Sequence, residues 1–237
     1  MRDPLPGGVG VSRLCVYDTI TPDGLPGGTP HIHLCCTEAY VVTGGHGAVQ
    51  TLSAQGFAEH ELRPGTVLWF SPGTVHRLVN GGDLQIVVVM SNSGLPEAGD
   101  AVLTFPAEIL ADPDRYSAAA SLPNGGAPGT DLTTAYRRRD LAIEGFRALK
   151  TAVERDGPKA MAGFYAAAVA LKRPLLDQWR TRWEDGAYRA AQSTGVQLDA
   201  LARGDSTHLG EARVAALPRP TEEGKLGMCG LLNTYVP

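Results

Sequence analysis

No stretch of this sequence approaches ~18 uninterrupted apolar residues, so nothing in it reads as a membrane-spanning helix. The opening Met1-Arg-Asp-Pro-Leu-Pro-Gly-Gly also lacks the apolar run of a secretory leader, which predicts a soluble, cytoplasmic protein. Cysteine is scarce: Cys15, Cys35, Cys36 and Cys229 are the whole set. Adjacent residues such as 35 and 36 cannot comfortably bridge each other, so reduced thiols are expected rather than a disulfide framework. Positive charge is missing where a nucleic-acid surface would need it, since residues 1–104 hold four Arg, no Lys and nine Asp or Glu. GxGxxG, Walker and GxSxG patterns are absent, which leaves nucleotide-binding and serine-hydrolase readings without support. Apolar residues are not lacking, and 43% over 237 residues suits one large domain or a domain with an appendage.

Residues 10–104 are punctuated every few positions by Gly, Pro, Asn or Asp, and the short stretches between are rich in Val, Leu, Thr and aromatics. That rhythm predicts an all-β barrel with strands near 11–17, 30–34, 38–43, 48–52, 57–62, 66–70, 75–80 and 84–90. Gly44-Gly45, Pro64-Gly65, Pro72-Gly73 and Gly81-Gly82-Asp83 are the expected turns. The run Leu84-Gln-Ile-Val-Val-Val-Met90 is too continuously apolar for a strand with one wet face. Because Ile86 and Val88 point one way and Val87 and Val89 the other, either the chain's own helices or a second copy in a homodimer must cover the outside.

From Phe105 onward the texture is helical, with Pro106 and Pro113 placed where first turns accept proline. Tyr136, Ile143, Phe146, Leu149 and Val153 lie near a helical period that Asp156-Gly157-Pro158 ends. Met161, Phe164, Tyr165, Ala168 and Val169 repeat it as far as Pro174, and Leu175, Leu176, Trp179 and Trp183 mark a third segment. Residues beyond about 204 carry too much Gly and Pro to assign. The expected division is a β-barrel domain over 1–104 and an α-helical region over 105–237 that packs on the barrel or on a partner subunit. Arg137-Arg-Arg139 reads as a solvated helix face.

The chemistry concentrates in Pro30-His-Ile-His-Leu-Cys-Cys-Thr-Glu38. His31 and His33 are two apart on a strand and project to one face. Glu38 follows His33 by five positions, an odd number, so it joins them only if the chain bends over residues 34–37. A second segment, Gly65 to Asn80, brings His76 just after the Pro72-Gly73 turn. Neutral imidazoles with a carboxylate suit a borderline divalent ion. Cys35 and Cys36 lie between the ligands and read as small apolar fillers. His46 and His60 match no ligand position and are expected on the surface. Tyr40 shares strand parity with Glu38, and Thr74, Leu78 and Asn80 share it with His76. Tyr40, Thr74 and Leu78 are therefore candidate substrate contacts, and Asn80 a turn or strand-end residue.

These segments resemble the cupin superfamily. His31, His33, Glu38 and Gly45 match its first motif, and Gly65, Gly73, His76 and Asn80 its second. Leu25, beside Gly24, stands where a Gly is usual, and Ser71, beside Pro72, where a Pro is usual. The resemblance implies a mainly β protein, a double-stranded β-helix (jelly-roll) barrel followed by helices. It also implies one divalent ion, Fe, Mn, Ni or Zn, held by His31, His33, Glu38 and His76. A dication with one carboxylate keeps a net +1 charge and leaves positions for a small anionic or chelating substrate. The expected activity is a metal-dependent oxidoreductase of dioxygenase or oxidase type, with Glu38 and Tyr40 as catalytic candidates. The alternatives are a sugar or hydroxy-acid isomerase, epimerase or lyase, or a non-catalytic ligand-binding cupin.

Overall fold

The structure, a computed structural model, describes residues 5–235; residues 1–4, where the leader reading begins, and 236–237 lie outside the described residues. The barrel strands are β1 (Gly10–Val16), β2 (His31–Ile32), β3 (Glu38–Ser53), β4 (Gly56–Leu62), β5 (Val67–Phe70), β6 (Val75–Met90) and β7 (Val102–Leu103). All pair antiparallel. β6 lies between β3 and β1, β4 and β5 flank β3, and β2 bridges β6 and β7.

Two expected turns are not turns. Gly44-Gly45 and Gly81-Gly82-Asp83 sit inside the long strands β3 and β6, which stay paired through register shifts between Val42 and Gly47. These are bulges that bend each strand so that one half serves each side of the barrel. Gly45 makes the bend possible: its φ is +66°, and a Cβ there would lie 2.2 Å from the Asp83 carbonyl oxygen. Asn80 stabilises the opposite side, its Oδ1 accepting from the Gly82 and Leu84 amides while its Nδ2 donates to the Val16 carbonyl.

The helices are α1 (Ala107–Leu110), α2 (Pro113–Ala120), α3 (Leu132–Asp156), α4 (Pro158–Lys172), α5 (Leu176–Trp183) and α6 (Arg189–Ala202). Pro113 and Pro158 start α2 and α4, where a missing amide proton has no consequence, and Asp112 and Asp131 cap α2 and α3. Among the described residues no helix is long and apolar enough to cross a membrane. α3 approaches the barrel closely because Gly145 has no side chain, and a Cβ there would lie 2.0 Å from the Thr104 carbonyl oxygen.

Within the stretch expected to be helical, the chain returns to the barrel as β8 (Glu222–Leu226) and β9 (Gly230–Tyr235), β9 pairing with β1. The expectation of a solvated Arg137-Arg-Arg139 face is also corrected. Arg137 is exposed, but Arg138 and Arg139 are buried. Arg138 donates to the Ala120 and Gly227 carbonyls, and Arg139 to those of Thr19, Ile20 and Gly27, so loop backbone takes the place of water.

One apolar core fills the barrel, with Tyr40, Val42, Val49, Leu78, Leu84, Ile86 and Val88. A second joins the outside of the barrel to the helices, through Ile32, Leu52, Val75 and Val102 against Ala142, Phe146, Met161 and Phe164. The helices therefore cover the first half of β6. The outward side of its second half, with Val87 and Val89, stays half-exposed beside Val67 and Trp69, the latter 70% exposed.

Candidate metal centre

β2 and β6 place His31 directly opposite His76. His33 follows one residue past β2, and Glu38 opens β3 after the chain bends at Leu34 and Cys35. One ligand atom from each of His31, His33, Glu38 and His76 lies within 4.8 Å of the others, and all four residues are buried.

The backbone sets the protonation pattern. His31 Nδ1 lies 2.8 Å from the Thr29 carbonyl oxygen, His76 Nδ1 lies 3.0 Å from that of Thr74, and His33 Nδ1 meets that of Asp100. A carbonyl oxygen only accepts, so each Nδ1 carries a proton and each ring turns its Nε2 toward the centre. His31 Nε2 and His76 Nε2 are 3.1 Å apart. Glu38 Oε2 lies 3.0 Å from His76 Nε2 and 3.3 Å from His33 Nε2. Three imidazole Nε2 atoms and one carboxylate oxygen thus converge on one point, a donor set that a divalent cation fits.

The electrostatics point the same way. Burial opposes ionisation of Glu38, but His76 and His33 outweigh it and hold the carboxyl well below its usual range. Burial, reinforced by His76 and His33, pushes His31 well below 6.5 and keeps it neutral. For His33 burial acts downward but Glu38 and Asp100 win and raise it, so a proton on His33 is the nearest substitute for a cation. No cysteine belongs to this ligand group; burial and nearby Glu38 push the Cys229 thiol up to about 12, and burial and Asp100 raise that of Cys36.

Tyr40 faces the same interior, edge-on to Phe70 with ring centres 5.3 Å apart and 6.5 Å from His76. Burial and Glu38 push its phenol well above 10, so it keeps its proton. Thr74 is half-buried and offers its backbone to His76; Leu78 is fully buried in the barrel core. His46 and His60 are exposed and far in role from the centre.

Sequence reasoning missed three supports. Asp23 and Thr21 close over Arg77, whose guanidinium is fully buried behind His76. Tyr165 of α4 donates to the Gly73 carbonyl at 2.9 Å, fixing the turn ahead of His76. Asp100 holds the bend before Glu38. All three pair residues more than fifty positions apart, and only the parity argument for a bend hinted at the last.

Residues 14–111 match the family model described as Cupin. The match is confined to these residues, less than half of the chain. None of the curated proteins matches it. Among solved structures, the capsular polysaccharide assembling protein CapF from Staphylococcus aureus is 21% identical with a TM-score of 0.27, over 38% of this chain and 25% of that one. An oxalate oxidase is 23% identical with a TM-score of 0.29, over 35% and 40%. WlaRA, a TDP-fucose-3,4-ketoisomerase from Campylobacter jejuni, is 11% identical with a TM-score of 0.32, over 38% and 64%. The chain thus spans less than two thirds of the length of each, and each likeness is confined to about two fifths of it or less.

Proposed function

We propose that this cupin is a metal-dependent enzyme acting on a small oxygen-rich molecule, an oxidoreductase of the dioxygenase or oxidase type. The observation that carries the reading is the convergence of three Nε2 atoms and one carboxylate oxygen, all within 4.8 Å, with each Nδ1 proton already committed to a backbone carbonyl. His31, His33, Glu38 and His76 would hold one divalent ion, Fe, Mn, Ni or Zn. When bound, such an ion supplies Lewis acidity and, if redox-active, one-electron chemistry.

The protein's own residues do the rest. One carboxylate against a dication leaves a net +1 charge, which selects a small anionic or chelating molecule such as a dicarboxylate or hydroxy-acid. Tyr40 keeps its phenolic proton and would donate it in a hydrogen bond to a substrate oxygen, with Thr74 and Leu78 as further walls. Glu38 holds the centre's formal anion. The tight apolar packing of the barrel around Tyr40, Leu78 and Phe70 suits a small substrate and excludes a polymer. The free thiols of Cys15, Cys35, Cys36 and Cys229 fit a reducing, cytoplasmic setting, and the half-exposed face with Val67, Trp69, Val87 and Val89 fits a homodimer contact.

The test is elemental analysis of protein purified without chelator, followed by dicarboxylate and hydroxy-acid turnover with and without O₂. Bound Fe or Mn and O₂-dependent turnover are expected. Turnover that ignores O₂ would point to isomerase or lyase chemistry instead, and ligand binding without turnover to a non-catalytic cupin.

A further inference from the structure

Glu38 follows His33 by an odd number of residues, so the two converge only because the chain turns sharply between them. That turn is moulded by one side chain. Asp100, fully buried and two positions before β7, accepts at Oδ1 from the Leu34 amide at 2.8 Å and the Cys35 amide at 3.1 Å. Its Oδ2 lies 3.2 Å from the same Cys35 amide. The backbone carbonyl of this same residue takes the Nδ1 proton of His33. One residue therefore anchors the ligand before the bend through its main chain and the bend itself through its side chain.

The surrounding loop repeats the pattern. Asn92 Nδ2 donates to the Cys35 carbonyl at 3.0 Å, and Ser91 Oγ accepts from the Thr37 amide at 2.8 Å while the Ser91 amide donates to the Thr37 carbonyl. The loop is tied in turn to the helices, since Trp179 of α5 donates to the Ala98 carbonyl at 3.0 Å. The pKa of Lys172, at the end of α4, is lowered by burial, and the Asp100 carboxylate acts against that lowering.

We propose that Asp100 is the positioning residue of the metal centre, setting the turn that brings Glu38 and His33 onto one ion. The proposal rests on the metal reading above. Groups that orient metal ligands are typically worth roughly 10- to 100-fold in affinity. Asp100→Ala leaves the Leu34 and Cys35 amides unpaired, whereas Asp100→Asn keeps an acceptor oxygen for them.

The experiment is Co²⁺ titration of the full chain, read by visible absorption, together with ¹⁵N NMR of the His33 ring in the metal-free protein. Leu226→Ala, at a buried position at the end of edge strand β8, is the control for general destabilisation. For Asp100→Ala, Co²⁺ binding at least roughly tenfold weaker, with an altered Co²⁺ spectrum and loss of the single Nδ1–H tautomer of His33, is expected. Asp100→Asn should recover most of the affinity, and Leu226→Ala should lower the melting temperature without changing affinity or spectrum. Affinity, spectrum and tautomer all unchanged in Asp100→Ala would overturn the proposal, as would an equal loss of affinity in Leu226→Ala. If the wild-type chain fails to bind Co²⁺ while the His33 tautomer still depends on Asp100, the metal reading fails and the positioning role stands.

Discussion

The two halves of β6 are one strand with opposite surroundings. Before the bulge, His76, Leu78 and Asn80 point into the barrel while Val75 and Arg77 point outward, and all five are buried. After it, Leu84, Ile86 and Val88 are buried inward, but Gln85 is exposed and Val87 and Val89 are half-exposed. The first half carries a candidate metal ligand, His76, and is clamped from behind by the helices and by the Thr21–Asp23 contact with Arg77. The second half is plain barrel wall. Rigidity has been placed where the donor atoms must hold a fixed geometry, since a ligand on a strand free to shift would lose its place on the ion.

Cutting the chain after Thr104 is the severest way to break this contrast. It strips the cover from Ile32, Leu52, Val75 and Val102, each fully buried, and leaves β1 without β9. The 1–104 fragment should aggregate on size exclusion and show no cooperative unfolding; a monomeric, cooperatively folded fragment would mean that both halves of β6 stand alone.

Next in size is Asp23→Ala, which leaves the fully buried Arg77 charge without its carboxylate. Breaking such a pair from one side typically costs about 3 kcal/mol, read by urea denaturation at neutral pH. The pair also gives the wild type an acid limit. Burial pushes the Asp23 carboxyl up, but Arg77, Thr21 and the Leu25 amide outweigh it and hold the group below its ordinary value. A depressed carboxyl stabilises the fold above its unfolded pKa of about 3.9 and loses that contribution as pH falls through its folded value. Stability between pH 5 and 3 should therefore fall less steeply in Asp23→Ala than in the wild type.

Tyr165→Phe removes only the bond to the Gly73 carbonyl, and about 1 kcal/mol of stability should go with it. The smallest effect on the fold belongs to the open half: Val87→Glu should change unfolding stability by less than about 0.5 kcal/mol. Light scattering should nonetheless show a dimer in the wild type and a monomer in the variant. A strongly destabilised but still dimeric Val87→Glu would place that residue in a core instead of a contact face.

The legible part of the molecule was local. Both candidate ligand motifs lie within short segments, and strand parity alone puts His31 with His33, Glu38 with Tyr40, and His76 with Leu78. Parity also required the bend between His33 and Glu38. What holds that bend was not legible, because Asp100 lies 65 positions beyond Cys35 and reads as an ordinary loop carboxylate. Gly44-Gly45 and Gly81-Gly82 looked like strand ends because the φ freedom that makes a turn also permits a bulge between paired strands. Arg138 and Arg139 looked solvated because the carbonyls that receive them come from loops on distant parts of the chain. β9 was hidden because its partner β1 stands at the opposite end of the sequence and Gly227 and Gly230 mask its strand character.

The central claim is that the clamped half of β6 completes a cation site. Calorimetric titration of chelator-treated protein with Zn²⁺, alongside the His31→Ala, His76→Ala double variant, tests it most directly. Saturable binding of a single ion by the wild type, weakened by roughly 100-fold or more in the double variant, is the predicted result. Equal affinity in the two proteins, or none in either, would contradict it.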